Sequence, residues 1–413
     1  MNLTIFPTSL KGTVTPPPSK SIAHRMILAA ALSEGQSTIH NAALSEDILA
    51  TLHCVEVLGA SWKLDGSTLY ISGCGRRRID RTEPLRFDCG ESGSTLRFLI
   101  PIALALTGGG TFTGKGRLME RPLGPYFDLF QEKGITFEQK DKTLTVRGTL
   151  QSGEYHLAGN VSSQFFTGLL FALPLLDGPS LIVPTTALES VDYIAMTVDT
   201  LSRSGISIAS TFTRPPHFSV PGGSTYRPFS AAVESDWSQA AFWYAANETG
   251  SSVSVSGMAE DSLQGDSVFP QWMTTLWKNG TVTIDAAQYP DLVPPLSARA
   301  ATRNGALHIT NIGRLRMKES DRISAIANTL YAIGADISAG EDSLTIRGKT
   351  QLRGGISVDA YGDHRIAMML AIAALRCEHP ITITGAECVR KSYPHFWEDY
   401  KALGGIVHEH TGK

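Results

Sequence analysis

Cysteine is scarce and scattered. The 413 residues hold five (Cys54, Cys74, Cys89, Cys377, Cys388), and no two stand as CxxC. That excludes a zinc ribbon, a thioredoxin-type pair and a disulfide-stapled secreted domain, and predicts reduced thiols. Charge is sparse too: 36 Lys and Arg against 39 Asp and Glu, 18% of the chain, with a net charge of −3. Without a basic excess there is no electrostatic footprint for nucleic acid and no polybasic anchor for a membrane surface. Long apolar runs are missing as well. The most apolar stretch, 98–106, is interrupted at Pro101 and is too short to span a bilayer. The opening MNLTIFP lacks the basic-then-apolar order of a signal peptide, so a cytoplasmic location is expected. No HExxH-type spacing occurs, and His408 and His410 stand apart near the end, so no metal site is expected.

What is present is 42% apolar residues, enough for a sizeable core, on a length that suits two to three domains. The apolar residues repeat. Six helix-like runs rich in Ala, Leu and Ile begin near Ser21, Ser92, Ser162, Ser235, Asp291 and Asp363, at intervals of 71, 70, 73, 56 and 72 residues. A second series of amphipathic helices interleaves with them. Each ends at a glycine (Gly59, Gly134, Gly205, Gly280, Gly334, Gly404) that reads as a left-handed C-cap and is followed by a strand pattern. The second intervals are 75, 71, 75, 54 and 70, so the fourth is short in both series and marks a compact fourth unit. Six units divide as three plus three. The Gly/Pro/Ser-rich stretch Pro221-Gly-Gly-Ser-Thr-Tyr-Arg-Pro-Phe-Ser reads as the join.

A helix apolar all round is buried, which leaves its N-terminus for chemistry. Free N–H groups and the positive dipole end suit that place to anions. The polar clusters fall there. Ser19-Lys20-Ser21 with His24-Arg25 opens one helix; it is not a Walker loop, because no GxxxxGK[ST] precedes it. Gly90-Glu91-Ser92-Gly93 opens another, and its glycines allow close approach of a ligand to the backbone. Gly114 to Pro122 concentrates Lys115, Arg117 and Arg121. Lys318-Glu319-Ser320-Asp321-Arg322, Asp363-His364-Arg365 and Lys391-Ser392-Tyr393-Pro394 follow. Arg76-Arg77-Arg78 reads instead as a solvated face.

In order, these motifs closely resemble those of the 5-enolpyruvylshikimate-3-phosphate synthase family. They are PxSKSxxxR ending at Arg25, GxSGSTLR at 90–97, GRxxERP at 116–122, SSQF at 162–165, QGD at 264–266, PD at 290–291, KESDR at 318–322, DHR at 363–365 and KSYP at 391–394. The resemblance covers nearly the whole chain. It implies an α/β (α+β) fold of two similar domains hinged around a central cleft, each of three βαβαββ units in an inside-out α/β barrel. One domain would span 19–232 and the other, discontinuous, 1–18 and 233–413. It also implies transfer of the enolpyruvyl group of phosphoenolpyruvate to the 5-hydroxyl of shikimate 3-phosphate, without metal or organic cofactor. No apolar face stands out beyond those the repeat needs, so a monomer is expected, and the charge balance gives no reason to expect nucleic acid or membrane as partners.

Carried over by position, the shikimate 3-phosphate pocket would use Lys20, Ser21, Arg25, Ser162, Ser163, Gln164, Ser190, Tyr193, Asp291 and Lys318. The phosphoenolpyruvate pocket would use Lys20, Gly93, Arg121, Gln164, Arg322, Arg365 and Lys391. Asp291 would be the base at the 5-hydroxyl. Glu319 would serve proton transfer at the methylene carbon, with Lys20 the alternative donor. Arg97 would support the glycine loop. The chain departs from the family pattern at Glu91, where many relatives have Asn, and at Arg314 and Phe98. Two other readings stand beside this one: a sister enzyme that transfers enolpyruvyl to UDP-N-acetylglucosamine, and a non-catalytic phosphosugar-binding relative.

Overall fold

The computed structural model describes residues 1–76, 84–211, 216–276 and 280–410. The chain forms two compact units, the continuous Pro18–Glu234 and the discontinuous pair Met1–Pro17 with Ser235–Lys413. Each has its own hydrophobic core.

The continuous unit contains three four-stranded sheets of one design. In the first, Leu85–Asp88 runs parallel to Gly109–Thr113, which pairs antiparallel with Thr143–Arg147, and the hairpin partner Thr136–Lys140 forms the far edge. Glu154–Leu157, Ser180–Pro184, His217–Val220 and Ala209–Thr211 repeat that order. The third sheet, Ser230–Ala232, Gln36–His40, Thr68–Ser72 and Ser61–Asp65, takes its parallel edge strand from the far end of the unit. The last repeat thus closes onto the first.

The discontinuous unit varies the same plan. Thr281–Asp285, Ala306–Thr310, Leu344–Arg347 and Asp336–Ala339 form a full sheet. In another, the N-terminal strand Asn2–Ile5 lies between Ile381–Thr384 and Val407–His410, and Ser357–Asp359 forms the parallel edge. The third has two described strands, Ser252–Val255 parallel to Lys11–Val14. The short fourth interval is explained here: the strand after Gly280 opens the next repeat instead of completing a hairpin.

The helices follow their sequence patterns. Each of the eleven residues of His364–Ala374 is buried, as expected of a helix without a polar face. All six glycines of the second series have positive φ, from 67° at Gly134 to 104° at Gly334, where a Cβ would be strained. Gly168 is needed for a different reason. A Cβ there would lie 2.5 Å from the carbonyl oxygen of Arg97, so its absence lets the helices Gly93–Thr107 and Ser163–Ala172 approach closely.

The stretch at 221–230 is not a free linker. Gly223 N donates to Leu176 O, Tyr226 OH to Phe171 O and Phe229 N to Ser37 Oγ, all within the continuous unit. Val233 N donates to His40 O, and the chain leaves that unit only after Glu234. Among the described residues no helix is long and apolar enough to cross a membrane.

Candidate active site

The expected site residues gather in two groups, one in each unit. In the continuous unit they lie at the start of apolar helices. Lys20 opens Lys20–Leu32, and its ammonium is 2.6 Å from Asp47 Oδ2. Arg25, one turn later, is buried and held by neutral groups. Its Nε donates to Thr197 Oγ1 at 2.8 Å, Nη1 to Ser21 O at 2.6 Å, and Nη2 to Tyr193 O at 2.8 Å. Its guanidinium sits 5.4 Å from the Phe98 ring centroid, so Phe98 serves as a cation–π floor. Burial pushes the Arg25 pKa down to about 10 against the pull of Tyr193, and Arg25 stays charged at neutral pH.

The glycine loop and two further helix starts converge beside it. Ser92 caps Gly93–Thr107 by accepting from Thr95 N, and Ser162 caps Ser163–Ala172 by accepting from Gln164 N. Gln164 then bridges the two helices, accepting from Arg97 Nη1 at 2.7 Å and donating to Ser94 Oγ at 2.9 Å. A Cβ at Gly93 would lie 2.8 Å from Arg121 Nη1 and 3.1 Å from Arg97 Nη1, so the glycine makes room for both guanidiniums. Ser163 is buried on the same turn as Gln164. Ser190 is left-handed, with φ 55°, and precedes the helix Val191–Arg203 that carries Tyr193. Glu91 is exposed and lies against Gly116 of the cationic loop.

In the discontinuous unit the cations are held by carboxylates. Arg322 is buried at the start of Arg322–Ala332 and makes three short ion pairs: Nε to Asp363 Oδ2 at 2.7 Å, Nη1 to Asp291 Oδ1 at 2.8 Å and Nη2 to Glu319 Oε2 at 2.7 Å. Arg365 reaches Asp291 Oδ2 at 3.1 Å and Ser238 Oγ at 3.0 Å. Lys318 stands 3.7 Å from Asp291, and Lys391 stands 3.9 Å from Glu319. Burial alone would raise the Asp291 carboxyl. Arg365, Lys318 and Arg322 together hold it far below the usual carboxylate range. Burial would likewise lower Arg322, but Asp363, Glu319 and Asp291 raise it above the ordinary guanidinium value. For Lys318 burial prevails and pushes it down to about 8.

Sequence reasoning missed the partners that set these cations. Asp47 has a visible signal, an acidic residue in the first turn of the Ser45-capped helix Glu46–Val57. Asp363 belongs to the recognised DHR cluster, yet its three roles lie in the fold: it caps His364–Ala374 and accepts from Arg322 and from Ser320 Oγ. Arg314 donates to Ala287 O. Arg76 is not merely solvated, since it donates to Leu175 O and pairs with Asp177; Arg77 and Arg78 lie outside the described residues.

Cations at helix starts, a glycine made small for two guanidiniums, and buried carboxylates among them suit polyanionic small molecules. The fold is that of enolpyruvyl transferases. An EPSP synthase from Acinetobacter baumannii superposes with a TM-score of 0.80 at 24% identity, covering 99% of this chain and 100% of that one. The enolpyruvyl transferase NikO from Streptomyces tendae does so with 0.77 at 16% identity, covering 98% of each. Sequence narrows the class. The model of the family described as EPSP synthase (3-phosphoshikimate 1-carboxyvinyltransferase) matches residues 6–400. Proteins named 3-phosphoshikimate 1-carboxyvinyltransferase from Clostridium kluyveri and Clostridium acetobutylicum are 43% and 45% identical over 424 residues, covering 98% of this chain and of theirs. The chain belongs to the EPSP synthase family.

Proposed function

We propose that the chain transfers the 1-carboxyvinyl group of phosphoenolpyruvate to the 5-hydroxyl of shikimate 3-phosphate and releases phosphate. The observation that carries this reading is the family match over residues 6–400. On this reading Lys20, Ser21, Arg25, Ser162, Ser163, Gln164, Ser190, Tyr193, Asp291 and Lys318 bind shikimate 3-phosphate. Gly93, Arg121, Arg322, Arg365 and Lys391 hold phosphoenolpyruvate, with Lys20 and Gln164 shared.

Asp291 takes the 5-hydroxyl proton while Glu319 protonates the methylene carbon, with Lys20 the alternative donor. The hydroxyl oxygen bonds to the resulting cationic carbon. Proton loss from the methyl group of the tetrahedral adduct then expels phosphate and restores the double bond. Arg365, Lys318 and Arg322 make Asp291 a weak base. The phosphate and carboxylate of phosphoenolpyruvate compete for Arg322 and Arg365, and each guanidinium drawn away raises the basicity of Asp291. The enzyme acts as a monomer in the cytoplasm, the compartment being supported by five free cysteines.

The test is phosphate release from phosphoenolpyruvate with shikimate 3-phosphate, run beside UDP-N-acetylglucosamine. Release with shikimate 3-phosphate alone is expected. Release only with the UDP-sugar, or binding of shikimate 3-phosphate without turnover, overturns the proposal.

A further inference from the structure

A continuous hydrogen-bonded chain runs beneath the glycine loop, and none of the substrate roles uses it. His24 Nδ1 lies 2.7 Å from Thr51 Oγ1, Thr51 Oγ1 lies 2.6 Å from Thr95 Oγ1, and Thr95 Oγ1 donates to Ser92 Oγ at 2.7 Å. All four side chains are fully buried. They join three helices, Lys20–Leu32, Glu46–Val57 and Gly93–Thr107. At one end is the helix that begins with Lys20. At the other, Ser92 accepts from Thr95 N at 3.2 Å and so fixes the first turn after the glycine loop.

The chain has a direction. Each hydroxyl carries one proton. Thr95 spends its proton on Ser92, so the short contact between Thr51 and Thr95 uses the proton of Thr51, which also has Asp47 O at 3.3 Å as a second, longer acceptor. With its one proton directed to those oxygens, Thr51 accepts from His24, which places a proton on Nδ1 of the imidazole. Burial lowers the His24 pKa to about 3, in keeping with a neutral ring that donates from one nitrogen. The middle helix also supports the loop directly. A Cβ at Gly90 would meet Ala50 Cβ at 3.5 Å, and Cys54 Sγ donates to Asp88 O at 3.4 Å. Asp47, one turn before Thr51 on that helix, is the partner of the Lys20 ammonium. Valine has the shape of threonine without its hydroxyl, so the feature that needs explaining is the hydroxyl.

We propose that His24, Thr51, Thr95 and Ser92 form a positioning relay that sets the glycine loop in register with Lys20 and thereby tunes capture of phosphoenolpyruvate without touching it. The proposal rests on the reaction assigned above. Removing one hydroxyl strands a buried donor on one side and a buried acceptor on the other, which costs more than the bond itself.

The experiment compares Thr51→Val, Thr95→Val and Thr51→Ser with the parent enzyme, and with Leu52→Ala as a purely apolar lesion on the same helix. The two valine variants should raise KM for phosphoenolpyruvate roughly five- to fifty-fold, with KM for shikimate 3-phosphate held within about twofold. Thr51→Ser should restore the parent value to within about twofold, and Leu52→Ala should lower the melting temperature without this split. Hydrogen exchange at residues 90–95 should quicken in both valine variants, and nitrogen NMR should place the His24 proton on Nδ1. Equal rises in both KM values, an unchanged KM for phosphoenolpyruvate, or a proton on Nε2 would overturn the relay. If the parent enzyme releases no phosphate with these substrates, the reaction assignment fails instead, and the exchange and tautomer measurements still decide the relay.

Discussion

The two units hold their cations by opposite means. In the continuous unit, Arg25 is fixed by two threonine hydroxyls and two carbonyls, and Arg97 by an amide and a carbonyl. Hydrogen bonds of that kind orient a guanidinium and leave its charge intact. In the discontinuous unit, Lys318, Arg322, Arg365 and Lys391 face Asp291, Glu319 and Asp363. Four cations against three carboxylates come close to neutrality before any ligand arrives. The first arrangement is built to attract an anion. The second exchanges one anion for another, and the exchange changes the basicity of the carboxylate that is released. Lys20, paired with Asp47, brings the second style into the first unit.

This contrast can be broken at Asp291. Asp291→Ala should keep the fold and lose turnover by about 10²- to 10⁴-fold, the range of a lost acid–base group. It should also bind inorganic phosphate more tightly than the parent, because Arg322 and Arg365 lose a competitor; calorimetric titration reads this. Weaker phosphate binding in the variant would show that Asp291 orients those arginines more than it occupies them.

Asp363→Ala tests the carboxylate that has no substrate to compete with. It is fully buried, caps a helix and pairs with Arg322, so its loss should cost about 3–5 kcal/mol of stability, seen as a lower denaturation midpoint. The corresponding lesion in the neutral unit, Thr197→Val, should cost only about 1–3 kcal/mol, because Arg25 keeps its carbonyl acceptors.

The smallest effect concerns pH. Lys318 is charged below about 8 and neutral above it, so affinity for shikimate 3-phosphate should fall by about tenfold between pH 7 and pH 9.5. Stability should move the other way. Between about 8 and the ordinary 10.5 the unfolded chain binds more protons at this lysine, so its contribution favours folding as pH rises. The Asp291 carboxyl, held well below its unfolded value, contributes stability that is complete above about pH 5 and lost only in acid. Lys318→Arg should flatten the affinity profile, and a profile that stays steep would assign it to another group.

Much of the plan was legible because it rests on period and on local rules. The six apolar helices, the glycines that cap the second series and the compact fourth unit all follow from spacing alone. The motif residues fell at helix starts, as hydroxyl and acidic caps before apolar runs indicate. What stayed hidden were pairings across the sequence. Asp47 lies 27 residues from Lys20, and Asp363 lies 41 from Arg322. Thr51 and Thr95 look like ordinary residues of apolar helices until the fold brings their hydroxyls together. Composition misled at 221–230, where Gly and Pro make a tight course over the core and not a tether.

The strand Asn2–Ile5 has a consequence for biosynthesis. It is made long before its two neighbours, Ile381–Thr384 and Val407–His410. Lys11–Val14 waits for Ser252–Val255 in the same way. While the ribosome completes Pro18–Glu234, which needs no later segment for its sheets, the earliest segment has two unpaired strand edges and nothing to pair with. Closing contacts of such sequence separation is slow. These two strands therefore pair only after segments beyond residue 234 are made, and until then their edges are open to mispairing.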